Sequence, residues 1–300
     1  MTFESTKIPT IADHSEFNFI QPFLVFITCI YYLFVSLGHD FVTQLYVGIF
    51  NNFGRSKMES GMLFGFIFLS IFIAVALTFY ISKHKSDFKL SSSILWLIGG
   101  ISLIICYQLL IVTNIEMIHF VQYAIFGTLL CLFIKDHILV LGIVFIGGVL
   151  DEFIQFYLHP SNTMYLDFND FILDGSGGLI GILIYSSVLS KFYFSMNSME
   201  KQLKVTLKMV YIILIFAYFI SLYTGYSVMY YKLAEPESIV QLIDGKNTFV
   251  FSYFRAESFW SVSNYGREYH ILTPVWGTIA VITQFCLYSL CFKFISSKSN

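Results

Sequence analysis

Runs of about twenty apolar residues recur from one end of this chain to the other, and they restrict its fold more than any other feature. The first, FIQPFLVFITCIYYLFVSL at 19–37, sets the type. About twenty helical residues at 1.5 Å each span the roughly 30 Å hydrocarbon layer of a bilayer. Eight such runs are expected to be spans: 19–37, 61–81, 94–112, 115–134, 138–158, 170–190, 206–225 and 272–292. Composition agrees, with 57% hydrophobic residues and 12% charged, where soluble domains carry about a quarter charged. The expected fold is therefore all-α, a polytopic membrane bundle of about eight transmembrane helices.

The spans divide the chain into an N-terminal part, 1–93, with an external loop at 39–60, a core at 94–190, and a C-terminal part, 191–300, with a long external loop at 226–271. The first eighteen residues, MTFESTKIPTIADHSEFN, are polar and lack the basic stretch of a cleaved signal, so the first run is expected to remain as an anchor. Lys83, Lys85, Lys89, Lys135 and Lys191 fall in or beside short loops on one side. The excess of basic residues in cytoplasmic loops then puts both termini in the cytoplasm. A net charge of −2 with no dense basic patch excludes nucleic acid as a partner. The five cysteines all lie inside apolar runs and are read as small core residues. The loop at 226–271 interleaves aromatics with charges and fits either a small folded cap on the membrane or a loop with interfacial aromatics. His137 and His159 sit at span ends, where they are expected to face solvent.

Against this background IGGVLDEFIQFYL, at 146–158, carries two adjacent acids and an amide in an otherwise apolar run. Asp151 and Gln155 are four residues apart and Glu152 and Gln155 three, so they share one side of a helix. The preceding span opens with Glu116, His119 and Tyr123 on one stripe and Gln122 beside it. The following span has Asp170, Asp174, Gly177 and Gly181 on one stripe. An ionised carboxylate at mid-bilayer costs about 2.5–3.5 kcal/mol on insertion scales, so these acids must face one another, water or a ligand. Small residues at Gly177 and Gly181 have the spacing that lets membrane helices approach closely. The three polar faces are therefore expected to converge on a cup open to the outside.

A single Tyr or Gln in such a helix is ordinarily an interhelical hydrogen-bond partner; adjacent acids are a poor choice for packing. Glu152, Asp151 and His119 are the candidate catalytic residues, because burial can tune a carboxylate and an imidazole for acid–base work. Glu116, Gln122, Tyr123, Gln155, Asp170 and Asp174 are the candidate ligand-binding residues. Asp151, Glu152, Asp174 and His119 also offer hard ligands to a cation, but no motif assigns a metal or names a cofactor. Glu116-x-x-His119 has the di-iron spacing without the second copy such sites need.

Taken in order, Glu116-x-x-His119-x-x-Gln122-Tyr123, Asp151-Glu152-x-x-Gln155 and Asp170-x-x-x-Asp174-x-x-Gly177-x-x-x-Gly181 resemble the VanZ-like family over about 95–185. The resemblance implies a cell-envelope membrane protein associated with resistance to the glycopeptide teicoplanin. Two departures stand out. The family usually has Asn where Asp174 stands, and often a basic residue before Asp170, where this chain has none. The first expectation is a protein that binds or modifies a membrane lipid or a lipid-linked, amphipathic surface molecule. The alternatives are an acid–base or metal enzyme acting on a lipid head group, and a proton- or cation-coupled transporter, for which inverted repeats or broken helices would be the sign. Turnover and oligomeric state are left open.

Overall fold

The computed structural model describes residues 17–83, 90–158, 166–189, 220, 224, 227–230, 240–252, 260–263 and 266–297. Eight α-helices account for most of them: α1 Phe17–Leu37, α2 His39–Phe53, α3 Arg55–Lys83, α4 Leu90–Leu109, α5 Ile118–Cys131, α6 His137–Leu158, α7 Phe168–Ile184 and α8 Pro274–Ser297. A 3-10 turn at Asn114–Met117 leads into α5, and a π-helical turn at Tyr185–Leu189 extends α7.

Among the described residues four helices are long and apolar enough to cross a membrane, over Arg55–Tyr80, His137–Phe156, Phe168–Leu189 and Val275–Lys293. Pro22–Leu37 and Phe41–Phe53, bent by 50°, make a fifth if taken as one broken span. The expected number was about eight. Three runs account for the difference among the described residues and beyond them. The apolar part of α4, Ser93–Leu109, is short. The fourteen residues of α5 rise only about 21 Å at 1.5 Å each. The run 206–225 lies outside the described residues. The shortness of α5 has local causes at both ends. At the N-terminal end Glu59 Oε2 accepts the Asn114 backbone N–H at 2.8 Å and holds the 3-10 turn. At the C-terminal end Asp136 Oδ1 accepts the N–H groups of Ile138 and Leu139 at 3.0 and 3.2 Å, starting α6 anew.

α7 is the central helix, packed by α4, α5, α6 and α8. It runs in the same direction as α5 at backbone contact: a Cβ on Gly177 would lie 2.7 Å from the Phe120 carbonyl oxygen, and one on Gly181 2.1 Å from that of Ala124. The small-residue stripe thus does what its spacing implied. α6 runs opposite to α7, with Val144 filling the space beside Gly178 and Asp174 that beside Gly148. By contrast α3 buries none of its apolar window and exposes Phe64, Phe68 and Phe72, a surface suited to lipid.

The chain is not purely helical. In 226–271 five short strands form: β1 Ser227–Tyr230, β2 Val240–Ile243, β3 Lys246–Ser252, β4 Trp260–Val262 and β5 Glu268–His270. β2 and β3 are an antiparallel hairpin, Ile243 opposite Lys246, closed by Asp244 and Gly245 at φ 49° and 77°. Asp-Gly is the pair that a two-residue hairpin turn of this hand requires. β1 joins β3 in parallel, and β4 pairs with β5 in a second sheet. Of the two readings of this loop, the folded one describes these strands. His137 does not simply face solvent: it is half-buried, its ring 5.5 Å from that of Phe292 and Nε2 3.4 Å from Ser186 Oγ. His159 lies outside the described residues.

Candidate functional site

The polar faces of α5, α6 and α7 meet at the end of the bundle where α7 begins. His119 of α5 sits against two acids of α7, its Nδ1 2.9 Å from Asp174 Oδ1 and its Nε2 3.8 Å from Asp170 Oδ2. One turn further along α5, Tyr123 donates its hydroxyl to Asp151 Oδ2 of α6 at 3.2 Å. Glu152 turns toward the start of α7, where its Oε2 accepts the backbone N–H of Asp167 at 3.2 Å. Asp170, Asp167, Asp151 and His119 are its ionisable neighbours. Gln155 is buried on the same side of α6. Helix geometry explains the meeting: the i, i+4 spacings stack these side chains on one stripe of each helix, and the glycines remove the bulk that would hold the stripes apart.

Asp151 and Glu152 are 1% exposed and Asp174 is fully buried, while Asp170 keeps 13% of its side chain exposed; where an open cup was expected, the described residues form a largely enclosed cluster. The physical reason is the closeness that the glycines allow. Asp174 Oδ2 lies 2.6 Å from where a Cβ on Gly148 would stand, so the carboxylate fills the notch that the missing side chain leaves. Asp151 Oδ1 and Asp174 Oδ2 are buried without a hydrogen-bond partner among the described residues. Buried acceptors left unpaired are expensive, by about 1–3 kcal/mol or more for charged groups. Their presence marks a place where structure has not been optimised for stability alone.

Two of the expected residues point elsewhere. Glu116 accepts the Val112 backbone N–H at 2.8 Å and steadies the turn before α5. Gln122 is half-buried and lines a slot against α1, its carbonyl accepting the Tyr31 hydroxyl at 2.9 Å. Among the described residues no group of three or more His, Cys, Asp or Glu is arranged to hold a metal ion.

Sequence reasoning missed three features. Asp167 is the N-cap of α7, its carboxylate accepting the Asn169 N–H at 2.9 Å while its own N–H holds Glu152; an Asp just before an apolar-periodic run is the signal that was there to read. Asn169 is a knot, donating to the carbonyls of Leu110 and His270 at 3.0 and 2.8 Å and accepting the Leu272 N–H at 3.0 Å. On the far side of α7, Ser176 joins Ser102 of α4 at 2.9 Å and Gln284 of α8 at 2.8 Å, and Ser102 meets the Tyr288 hydroxyl at 2.5 Å. No local pattern betrays that network, since its members come from three distant helices.

Set beside protein-family models, curated proteins and solved structures, the chain matches none. The VanZ-like resemblance therefore rests on its own residues.

Proposed function

We propose that this chain is a VanZ-like, multi-pass protein of the cell envelope with both termini cytoplasmic, and that its enclosed carboxylate–histidine cluster binds or modifies the head group of a lipid-linked or amphipathic surface molecule. The observation that carries the reading is His119 held between Asp170 and Asp174 with Asp151 and Glu152 alongside, all inside apolar helices. So many acids in one low-dielectric place cannot all stay ionised against each other, and they are neutralised by protons, by His119 or by a donor-bearing ligand. A changed envelope composition, and with it glycopeptide sensitivity, is the expected consequence for the cell.

The test is a pair of near-isosteric changes, Asp151→Asn and Glu152→Gln, at matched expression. Hydrogen bonding and fold should survive, so the protein level and melting temperature hold. Teicoplanin tolerance should fall to that of cells without the protein. Full tolerance in both single variants and in the double variant would end the reading. A second reading, an acid–base enzyme on a lipid head group, draws on the 2.9 Å His119–Asp174 contact, the geometry of a base with its orienting carboxylate. Conversion of a labelled lipid extract by the purified protein, lost in His119→Gln, is its expected signature.

A further inference from the structure

An enclosed site must open somewhere, and its walls are fastened very differently. Toward α5, α7 is locked by backbone contact at Gly177 and Gly181, and toward α6 by Val144 seated on Gly178 and Asp174 seated on Gly148. At the end of the bundle, Asn169 ties α4, α7 and the β5–α8 connection together through three hydrogen bonds. Arg267 adds a bond to Asn114 Oδ1 at 3.0 Å and another to the Tyr107 carbonyl, with its guanidinium 4.3 Å above the Tyr107 ring. Leu272 packs there on the cluster of Phe156, Leu166, Phe168 and Phe171.

The wall formed by α1 is different. Among the described residues its hydrogen bonds to α5 and α6 are those of two phenols, Tyr31 to the Gln122 carbonyl at 2.9 Å and Tyr32 to the Gly147 carbonyl at 2.8 Å; the Tyr32 ring stacks 5.2 Å from Phe126, and Leu24, Val25 and Val35 pack on the core beside them. Both carbonyls lie inside helices and are already used in the i→i+4 ladder, so releasing the phenols leaves no backbone acceptor unpaired. The outer side of α1 exposes Phe23, Phe26, Ile30 and Phe34, and is in contact with lipid when the helix is in a bilayer. Between α1 and α5 runs a narrow slot lined by Tyr31, Tyr32, Val35, Gln122, Tyr123 and Phe126. Its inner end is Tyr123, the residue bonded to Asp151. Ser36, next to Val35, is buried there beside Tyr32.

We infer that this slot is a lateral, lipid-facing gate. A hydrocarbon-tailed amphiphile keeps its tail in the bilayer while its polar head passes between α1 and α5 to Tyr123 and Asp151. The inference rests on the reading that the cluster serves a lipid-linked molecule, and it gives that molecule its route and its class: one that arrives from the membrane, not from water.

The experiment uses the full chain in phosphatidylcholine vesicles with its five native cysteines replaced. A single cysteine is introduced as Val35→Cys at the slot, Leu173→Cys in the sealed core or Phe64→Cys on the lipid surface, and its reaction with a lipid-soluble maleimide is timed. The slot position should react more slowly than the surface one and measurably faster than the core one. With Tyr31→Phe and Tyr32→Phe added, its rate should rise about tenfold, the opening gained by removing two hydrogen bonds of ordinary strength, while the Leu173→Cys rate stays put. A slot cysteine as inert as the core one, or one whose rate ignores the two phenols, overturns the gate. The labelling needs no cellular phenotype, so a gate that opens in a protein whose Asp151→Asn, Glu152→Gln and double variants all keep full tolerance would strike the functional reading and leave the gate standing.

Discussion

The two faces of α7 are both polar, both buried and separated by the width of one helix, yet they are built on opposite terms. The face toward α4 and α8 is neutral: Ser176, Ser102, Tyr288 and Gln284 exchange hydroxyl and amide hydrogen bonds among three helices, with the Gln284 amide oxygen left without a partner among the described residues. The face toward α5 and α6 gathers Asp170, Asp174, Asp151 and Glu152 around one imidazole, with two carboxylate oxygens unmatched. Hydroxyls and amides satisfy one another cheaply in an apolar medium, whereas carboxylates lose hydration and repel. A network of the first kind fastens helices. One of the second kind is kept for something other than fastening.

The largest effect is expected where neither face is involved and only helix approach matters. Gly181→Ala drives a methyl to within 2.1 Å of the Ala124 carbonyl, and should cost about 1–3 kcal/mol or more as overpacking. Gly142→Ala, whose nearest neighbour is 3.8 Å away, should stay within about 0.5 kcal/mol. Thermal unfolding in detergent reads both, and equal behaviour would mean that α5 and α7 are not in backbone contact.

The comparison of the two faces is sharpened by Ser176→Ala against Asp151→Asn. The first removes a hydroxyl shared by Ser102, Gln284 and the Ile172 carbonyl, and should lower stability by about 1 kcal/mol with the envelope phenotype intact. The second should spare stability and remove the phenotype. If both variants lose the same property, the faces do not differ in purpose. The smallest effect belongs to Glu116→Gln. Its amide oxygen still accepts the Val112 N–H, so stability and tolerance should both move by no more than a few tenths of a kcal/mol in equivalent terms. A loss of tolerance there would bring Glu116 back into the cluster.

Much of this was legible from spacing. The meeting of His119, Tyr123, Asp151, Asp170 and Asp174 follows from i, i+3 and i+4 stripes on three consecutive helices, and the close approach of α5 and α7 from Gly177 and Gly181. What periodicity cannot see is distance between walls. Whether glycines leave an open cup or a sealed cluster depends on tenths of an ångström, such as the notch at Gly148 that Asp174 fills. Span boundaries escaped hydropathy for a related reason: it marks apolar runs, but Glu59 and Asp136, by bonding backbone N–H groups, fix the turn before α5 and the start of α6. The hairpin at 240–252 was within reach, since Asp244-Gly245 between apolar-rich stretches is a strong turn signal. The Asn169 and Arg267 ties were not, because their partners lie 59 to 160 residues away.

Those ties bear on how the molecule is made. The last carbonyls of α4 have no acceptor role within their own helix. Tyr107 and Leu110 have theirs bonded by Arg267 and Asn169, residues that leave the ribosome long afterwards. Until then the fourth helix waits, threaded but unfinished, for a segment that follows Tyr107 by 160 residues. Its completion coincides with the arrival of β5, so a chain stopped short of residue 267 would strand an early helix as surely as a late one.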